Sequence, residues 1–151
     1  MPGLSLSEML IVLCLLSTTA IISLTGFSPI YEHHEIQTFS RQLSSALKLA
    51  QGLSLRRNED FTICAQQQGT CQEDWQGELV LRSSNNIIQN FGSTPKNLSI
   101  HYNAFYSNNE LLIQNHGTSI NNGTFNISSK SHTPYKITIS QQGIINETSG
   151  L

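Results

Sequence analysis

Positive charge is scarce in this chain. Eight Lys and Arg stand against ten Asp and Glu among 151 residues, and no Lys or Arg precedes Arg41. Only 12% of the residues are charged and the formal net charge is −2, which excludes nucleic-acid binding by bulk electrostatics. The basic start of a secretory signal peptide is therefore missing. Also missing are Gly-x-Ser-x-Gly, a phosphate loop and His-Glu-x-x-His. No catalytic residue, metal or other cofactor is assigned, and enzyme activity is not expected. No internal repeat or long linker divides the chain, so the length allows one anchor and one small domain.

What is present begins with an apolar run. Met9 to Leu24 reads MLIVLCLLSTTAIISL without a charge. Counted from Leu4, a helix here would reach about 31 Å at 1.5 Å per residue, matching the roughly 30 Å hydrocarbon core of a bilayer. Ser17, Thr18, Thr19 and Ser23 are tolerable in it, because a helix can return their hydroxyls to its own carbonyls. Cys14 serves as a small apolar residue. Glu8 is the anomaly, since a carboxylate in a spanning segment costs roughly 2.5–3.5 kcal/mol and is functional by default.

Gly3, then LSLSE over Leu4–Glu8, then MLIVL over Met9–Leu13, resembles the class III signal of type IV pilins and type II secretion pseudopilins. The resemblance implies cleavage by a prepilin peptidase between Gly3 and Leu4 and N-methylation of Leu4. Residues 1–3 would be the leader, and Glu8 would be the fifth residue of the mature chain. Its carboxylate would neutralise the new α-amino group of a neighbouring subunit, which makes Glu8 an assembly residue. The expected partners are other pilins through the N-terminal helix, the peptidase, an inner-membrane assembly platform and the lipid bilayer. The expected location is the bacterial inner membrane, single-pass, with a periplasmic C-terminal domain, before incorporation into a pilus or pseudopilus.

Beyond the transmembrane segment 4–24, Ile36, Phe39, Leu43, Leu47, Ala50 and Leu53 recur at three- and four-residue steps. This is one apolar stripe on an amphipathic helix within 25–57. Gly26 and Pro29 loosen its join to the apolar half, and Arg56, Arg57 and Asn58 suit its C-terminus. From residue 58 to 151 the pattern is β, in short runs such as FTICA, ELVLR, LSIHY and YKITIS. Hairpin tips are expected at Ser84-Asn85-Asn86, Asn108-Asn109, Asn122-Gly123 and Gln142-Gly143. The fold class is α+β, one long helix packed on antiparallel sheet.

Cys64 and Cys71 bracket AQQQGT, and Gly69 permits the sharp turn that brings them together. In an oxidising periplasm they would pair as a disulfide. Two thiolates with no histidine near in sequence leave a metal site as the alternative.

The stretch RRNEDFTICAQQQGTCQEDWQGELVL, with Arg57, Asn58, Cys64, Cys71 and Trp75, resembles the GspH/FimT branch of minor pilins and pseudopilins. So do the late runs GTFNIS and YKITISQQGIIN. The resemblance implies a pilin-like fold and a structural part in a type II secretion pseudopilus or type IV pilus. Some FimT-like pilins that bind DNA carry a Gly-Arg-x-Arg tail. Gly143-Ile144-Ile145-Asn146 stands in that place here, so nucleic acid is not an expected partner. The alternatives are a DNA-binding competence pilin, with Lys130 and Lys136 as weak contacts near His132, and a membrane-anchored glycoprotein. The second would use the Asn-x-Ser/Thr triplets at Asn97, Asn122, Asn126 and Asn146. His33-His34-Glu35 is not expected to bind a metal, because adjacent helical side chains point about 100° apart. Glu73-Asp74 beside Trp75 is expected to be a polar loop with an aromatic anchor.

Overall fold

A computed structural model describes residues 5–26, 28–84, 86–107, 109–129 and 134–149, with the backbone alone for 19–26, 28–30 and 149. Among the described residues, helix α1 (Leu6–Gly26) and helix α2 (Ser28–Arg57) lead into nine strands. These are β1 (Phe61–Gln67), β2 (Thr70–Cys71), β3 (Glu78–Ser83), β4 (Asn86–Ser93), β5 (Ser99–Ala104), β6 (Leu111–Ile113), β7 (Gly123–Ser128), β8 (Tyr135–Ile139) and β9 (Ile145–Ser149).

Helix α1 ends at Gly26 and α2 starts at Ser28, and the two residues expected to loosen the join, Gly26 and Pro29, lie at these ends. Pro29 lies in the first turn of α2, where a missing N–H costs no helical bond. At the other end Asn58 takes a φ of 55°, the left-handed conformation that stops a helix and that Asn tolerates.

The stripe read from the sequence is the core face of α2. Ile36, Phe39, Leu43, Leu47 and Ala50 are buried and Leu53 packs half-buried against them. Ala46, Ser40, Ser44 and Ser54 widen the stripe. Ser40 Oγ donates to the Ile36 carbonyl at 2.7 Å and Ser54 Oγ to the Gln51 carbonyl at 2.8 Å. Those two buried hydroxyls are satisfied by their own helix, so small polar residues can face the core without an orphaned donor.

The strands form two antiparallel sheets. One has the order β2-β1-β3-β4, with β6 pairing β1, and the other has the order β5-β7-β8-β9. Helix α2 contacts β1, β3 and β6 of the first sheet and β7 and β8 of the second. One helix therefore covers both sheets. In β8 the expected alternation holds: Ile137 and Ile139 are buried while Lys136 and Thr138 are exposed.

Two of the four expected tips close hairpins. Ser84, with φ 52°, leads from β3 to β4, and Gln142-Gly143 joins β8 to β9. Asn85 and Asn108 lie outside the described residues. The segments around Asn109 and Asn122-Gly123 instead carry the chain between sheets, because β6 pairs with β1 rather than with its neighbours in sequence. Turn residues mark where a strand stops. They do not say which strand lies beside it. A further hairpin joins β1 to β2 through Gln68 (φ 51°) and Gly69 (φ 87°). Positive φ at both central residues is the type I′ turn that matches strand twist.

Gly143 fixes how the second sheet meets the helix. Its φ is 80°, and a Cβ there would stand 2.4 Å from the Gly117 carbonyl oxygen and 2.7 Å from Gln51 Nε2. Gln51 Nε2 donates to the Gly143 carbonyl, tying the β8–β9 turn to α2. Gly143→Ala should therefore destabilise the fold by about 1–3 kcal/mol, read as a lower midpoint in urea with an unchanged slope.

Candidate assembly site and the groups that hold the domain

The expected processing residues Gly3 and Leu4 lie outside the described residues. Glu8 is described, in the first turn of α1. Its Oε2 accepts a hydrogen bond from the Ser5 N–H at 2.9 Å. Ser5 precedes the helix and Glu8 is its third residue, the Ser-x-x-Glu arrangement in which the acid reaches back to satisfy a terminal donor. The sequence alone carried this signal in Ser5-Leu6-Ser7-Glu8, and it adds a local partner for the carboxylate to the role expected in assembly.

Around Glu8 the helix is apolar on every side. Leu6, Met9, Leu10, Ile11, Val12, Leu13, Leu15 and Leu16 are all exposed. Ser17 Oγ and Thr18 Oγ1 donate to the Cys14 carbonyl at 2.9 and 3.1 Å, so these hydroxyls are returned to the backbone as expected. Cys14 is a free, exposed thiol on the same helix. Among the described residues, no helix is long and apolar enough to cross a membrane. The expected span over 4–24 begins at Leu4 and ends in side chains from 19 onward, and both lie outside the described residues.

Cys64 and Cys71 are joined by a disulfide, with Cα atoms 5.6 Å apart. The bond crosses the β1–β2 hairpin beside the Gln66–Cys71 pair. Cys64 is buried in β1. Closing so short a loop is worth about 2–3 kcal/mol in the chain-entropy account. Replacing both cysteines by Ser should lower the unfolding free energy by about that much, and dithiothreitol should then have no further effect on the midpoint.

Trp75 is fully buried and has a φ of 54°. Its ring meets Phe125 edge-on at 4.6 Å and Tyr102 edge-on at 5.5 Å, while Tyr102 and Phe125 stack at 4.1 Å. Tyr102 lies on β5 and Phe125 on β7, so a residue from a loop of the first sheet sits in the core of the second. Thr94 Oγ1 donates to the Trp75 carbonyl at 2.9 Å, and Gln76 Nε2 donates to the Leu98 carbonyl at 2.8 Å. Burial pushes the Tyr102 phenol well above its ordinary range, and the hydroxyl donates to the Asn121 carbonyl. The sequence marked Trp75 as an anchor in a polar loop. It gave no sign of the two rings that receive it, which come from distant strands.

Charged contacts are few. Arg82 Nη2 meets Glu110 Oε2 at 3.1 Å, joining β3 to the segment before β6. On β9, the Ser44 hydroxyl and the Tyr135 phenol hold the Glu147 carboxyl below its ordinary range. Tyr135 donates to Glu147 at 2.9 Å, whereas Ser44 Oγ is buried without a partner in hydrogen-bond geometry, so the phenol is the better defined contact. The phenol contact ties the edge strand β9 to β8. Lys136 is exposed on β8, paired in register with Asn126 and Thr148. Ile144 and Asn146 are exposed where a Gly-Arg-x-Arg tail would place its arginines. Lys130 and His132 lie outside the described residues. Among the described residues no group of three or more His, Cys, Asp or Glu could hold a metal.

The family model of the type II transport protein GspH matches residues 40–143. No curated protein matches the chain. Among solved structures, the type IV minor pilin FimU of Pseudomonas aeruginosa is similar at a TM-score of 0.60 and 22% identity, covering 80% of this chain and 92% of that one. The minor pseudopilin EpsH of the Vibrio cholerae type 2 secretion system is similar at 0.56 and 11% identity, covering 76% and 96%. The two likenesses show the fold, a helix laid on antiparallel sheet. The family model covers well over half of the chain, from the core face of α2 through the disulfide hairpin and Trp75 to the Gly143 turn, and the chain belongs to the GspH family.

Proposed function

We infer that this chain is a minor pilin or pseudopilin, a structural subunit of a type II secretion pseudopilus or a type IV pilus. The observation that carries this is α1, whose apolar side chains from Leu6 to Leu16 the domain leaves uncovered, with one acid at its head. An apolar surface in water is unfavourable by about 25 cal/mol per Å². So long a one needs lipid, sister helices, or each in turn. Lipid would receive it before assembly, as a single-pass anchor over 4–24 in a bacterial inner membrane with the domain in the periplasm. Packed helices of other subunits would receive it afterwards.

The acid fits that exchange. Cleavage between Gly3 and Leu4 would create an amine one residue before the N–H that Glu8 already accepts. The carboxylate then has a partner in its own chain before assembly and could take a neighbour's amine within the fibre. A prepilin peptidase and an inner-membrane assembly platform would be the processing and assembly partners. The fibre would serve secretion or pilus biogenesis, with this subunit at its initiation or tip. No observation favours DNA binding, since Ile144 and Asn146 supply no cation. Asn126, one of four triplet positions for a glycan, lies mid-strand between His101 and Lys136.

Mass spectrometry of the protein purified from its native membrane tests this. The expected result is a chain starting at Leu4 with one methyl group on its α-amine. A chain starting at Met1, or beyond Leu24, would remove the amine and with it the fibre role.

A further inference from the structure

Between the β5–β6 connection, the turn 114–119 and the β8–β9 turn lies a cleft of about 350 Å³, within the roughly 300–1,000 Å³ of small-molecule sites. Its walls are Tyr106, Gln114, Thr118, Ile120, Gln141 and Gln142, with Ser119 among them. No charged side chain lines it. Every polar side chain there is an amide or a hydroxyl, groups that both donate and accept.

The parts are set by local structure. The turn is closed by the Gly117 N–H on the Gln114 carbonyl and the Gln114 N–H on the Thr118 carbonyl, both at 2.8 Å. Thr118 Oγ1 donates to Gln114 Oε1 at 3.2 Å, which fixes that amide and leaves its Nε2 hydrogens without a partner among the described residues. The Ser119 N–H donates to the Gln141 carbonyl at 3.2 Å, locking the turn to the end of β8. Ser119 is 2% exposed and its Oγ has no hydrogen-bond partner, a buried hydroxyl that nothing in the fold uses. On the rim Tyr106 is 73% exposed, and its ring is braced edge-on by Phe105 at 5.1 Å. The Tyr106 and Phe105 rings thus offer an exposed aromatic surface beside the amides of the cleft.

We propose that this cleft binds a neutral saccharide. A pyranose has an apolar C–H face that suits the Tyr106 ring and hydroxyls that donate and accept, as the Gln and Thr groups do. Phosphate, carboxylate and ammonium ligands find no counter-charge here. The site does not depend on the fibre role. It lies on turns at the ends of β6 and β8, beside Gln51 and Leu55 in the C-terminal part of α2.

The test is a titration of the full-length chain in a zwitterionic detergent without a sugar headgroup. The probes are galactose, N-acetylglucosamine and the β-linked tetramer of the latter. The readout is the side-chain amide resonances of Gln114, Gln141 and Gln142. The expected result is a saturable shift of these signals by at least one probe, weakened about tenfold or more by Tyr106→Ala at an unchanged melting temperature. Absence of a saturable shift at roughly 50 mM of every probe, above the millimolar range of weak sites, would overturn the proposal. So would undiminished binding by Tyr106→Ala, or shifts produced by a Ser- and Gln-rich peptide and by none of the sugars.

Discussion

Trp75→Ala should cost about 3–5 kcal/mol, the range for removing a buried aromatic from a packed core, which is a large part of the 5–15 kcal/mol that holds a typical domain. The cost has three physical parts. Apolar area leaves the core. A cavity opens beside the stacked rings of Tyr102 and Phe125, which are fixed in β5 and β7. The edge-on contacts at 4.6 and 5.5 Å, worth about 0.5–1.5 kcal/mol each beyond burial, are lost. Ala would still have to adopt the left-handed φ of 54°, now without the ring contacts that offset its strain. Urea unfolding followed by far-ultraviolet circular dichroism measures it. The wild type can be followed in parallel by the fluorescence of its only Trp. Trp75→Phe should recover part of the loss. A cost below about 1 kcal/mol for the Ala variant, in the range of surface changes, would mean that the ring does not join the two sheets.

Much of the helical half was legible in advance because its signals are local. Ile36 to Leu53 repeat at the helical period, and periodicity survives whatever the stripe packs against. The Cys64–Cys71 hairpin was legible for the same reason, since six intervening residues with a Gly turn keep both thiols close. The division of the strands into two sheets was not. Leu111, Leu112 and Ile113 of β6 form a short apolar run, but nothing in three residues says that their partner is β1. Pairing is decided by which burial satisfies the whole core, and that is non-local. The Gly143 contact with Gly117 and Gln51 is a similar case. Its turn was read from sequence, while its tight docking on α2 depends on two segments far along the chain.

Glu8 shows the opposite. The signal was local and complete, yet the acid was read from the sequence only as an oddity in an apolar run and as an assembly residue. Ser5 to Glu8 is a helix start in its own right. On the proposed reading the carboxylate has two separable jobs, and two variants separate them. Glu8→Ala removes the acceptor for the Ser5 N–H, at a cost of about 0.5–1 kcal/mol at one helix end. It also removes roughly 2.5–3.5 kcal/mol of resistance to entering lipid. Membrane levels should therefore be unchanged. In a fibre, the neighbour's amine would be left buried without its counter-charge, at about 3–5 kcal/mol. Incorporation should fall by roughly a hundredfold or more at 1.4 kcal/mol per tenfold.

Glu8→Gln keeps an acceptor at the third helical position, where Gln serves a helix start nearly as Glu does, but carries no charge. It should insert normally, start its helix normally and still be missing from fibres. Quantifying each variant in sheared filaments against its membrane pool reads both steps. If Gln assembled as well as Glu, the acid would be no more than a cap on its own helix, and the attraction between charge and amine would have to be given up as the force that places this subunit.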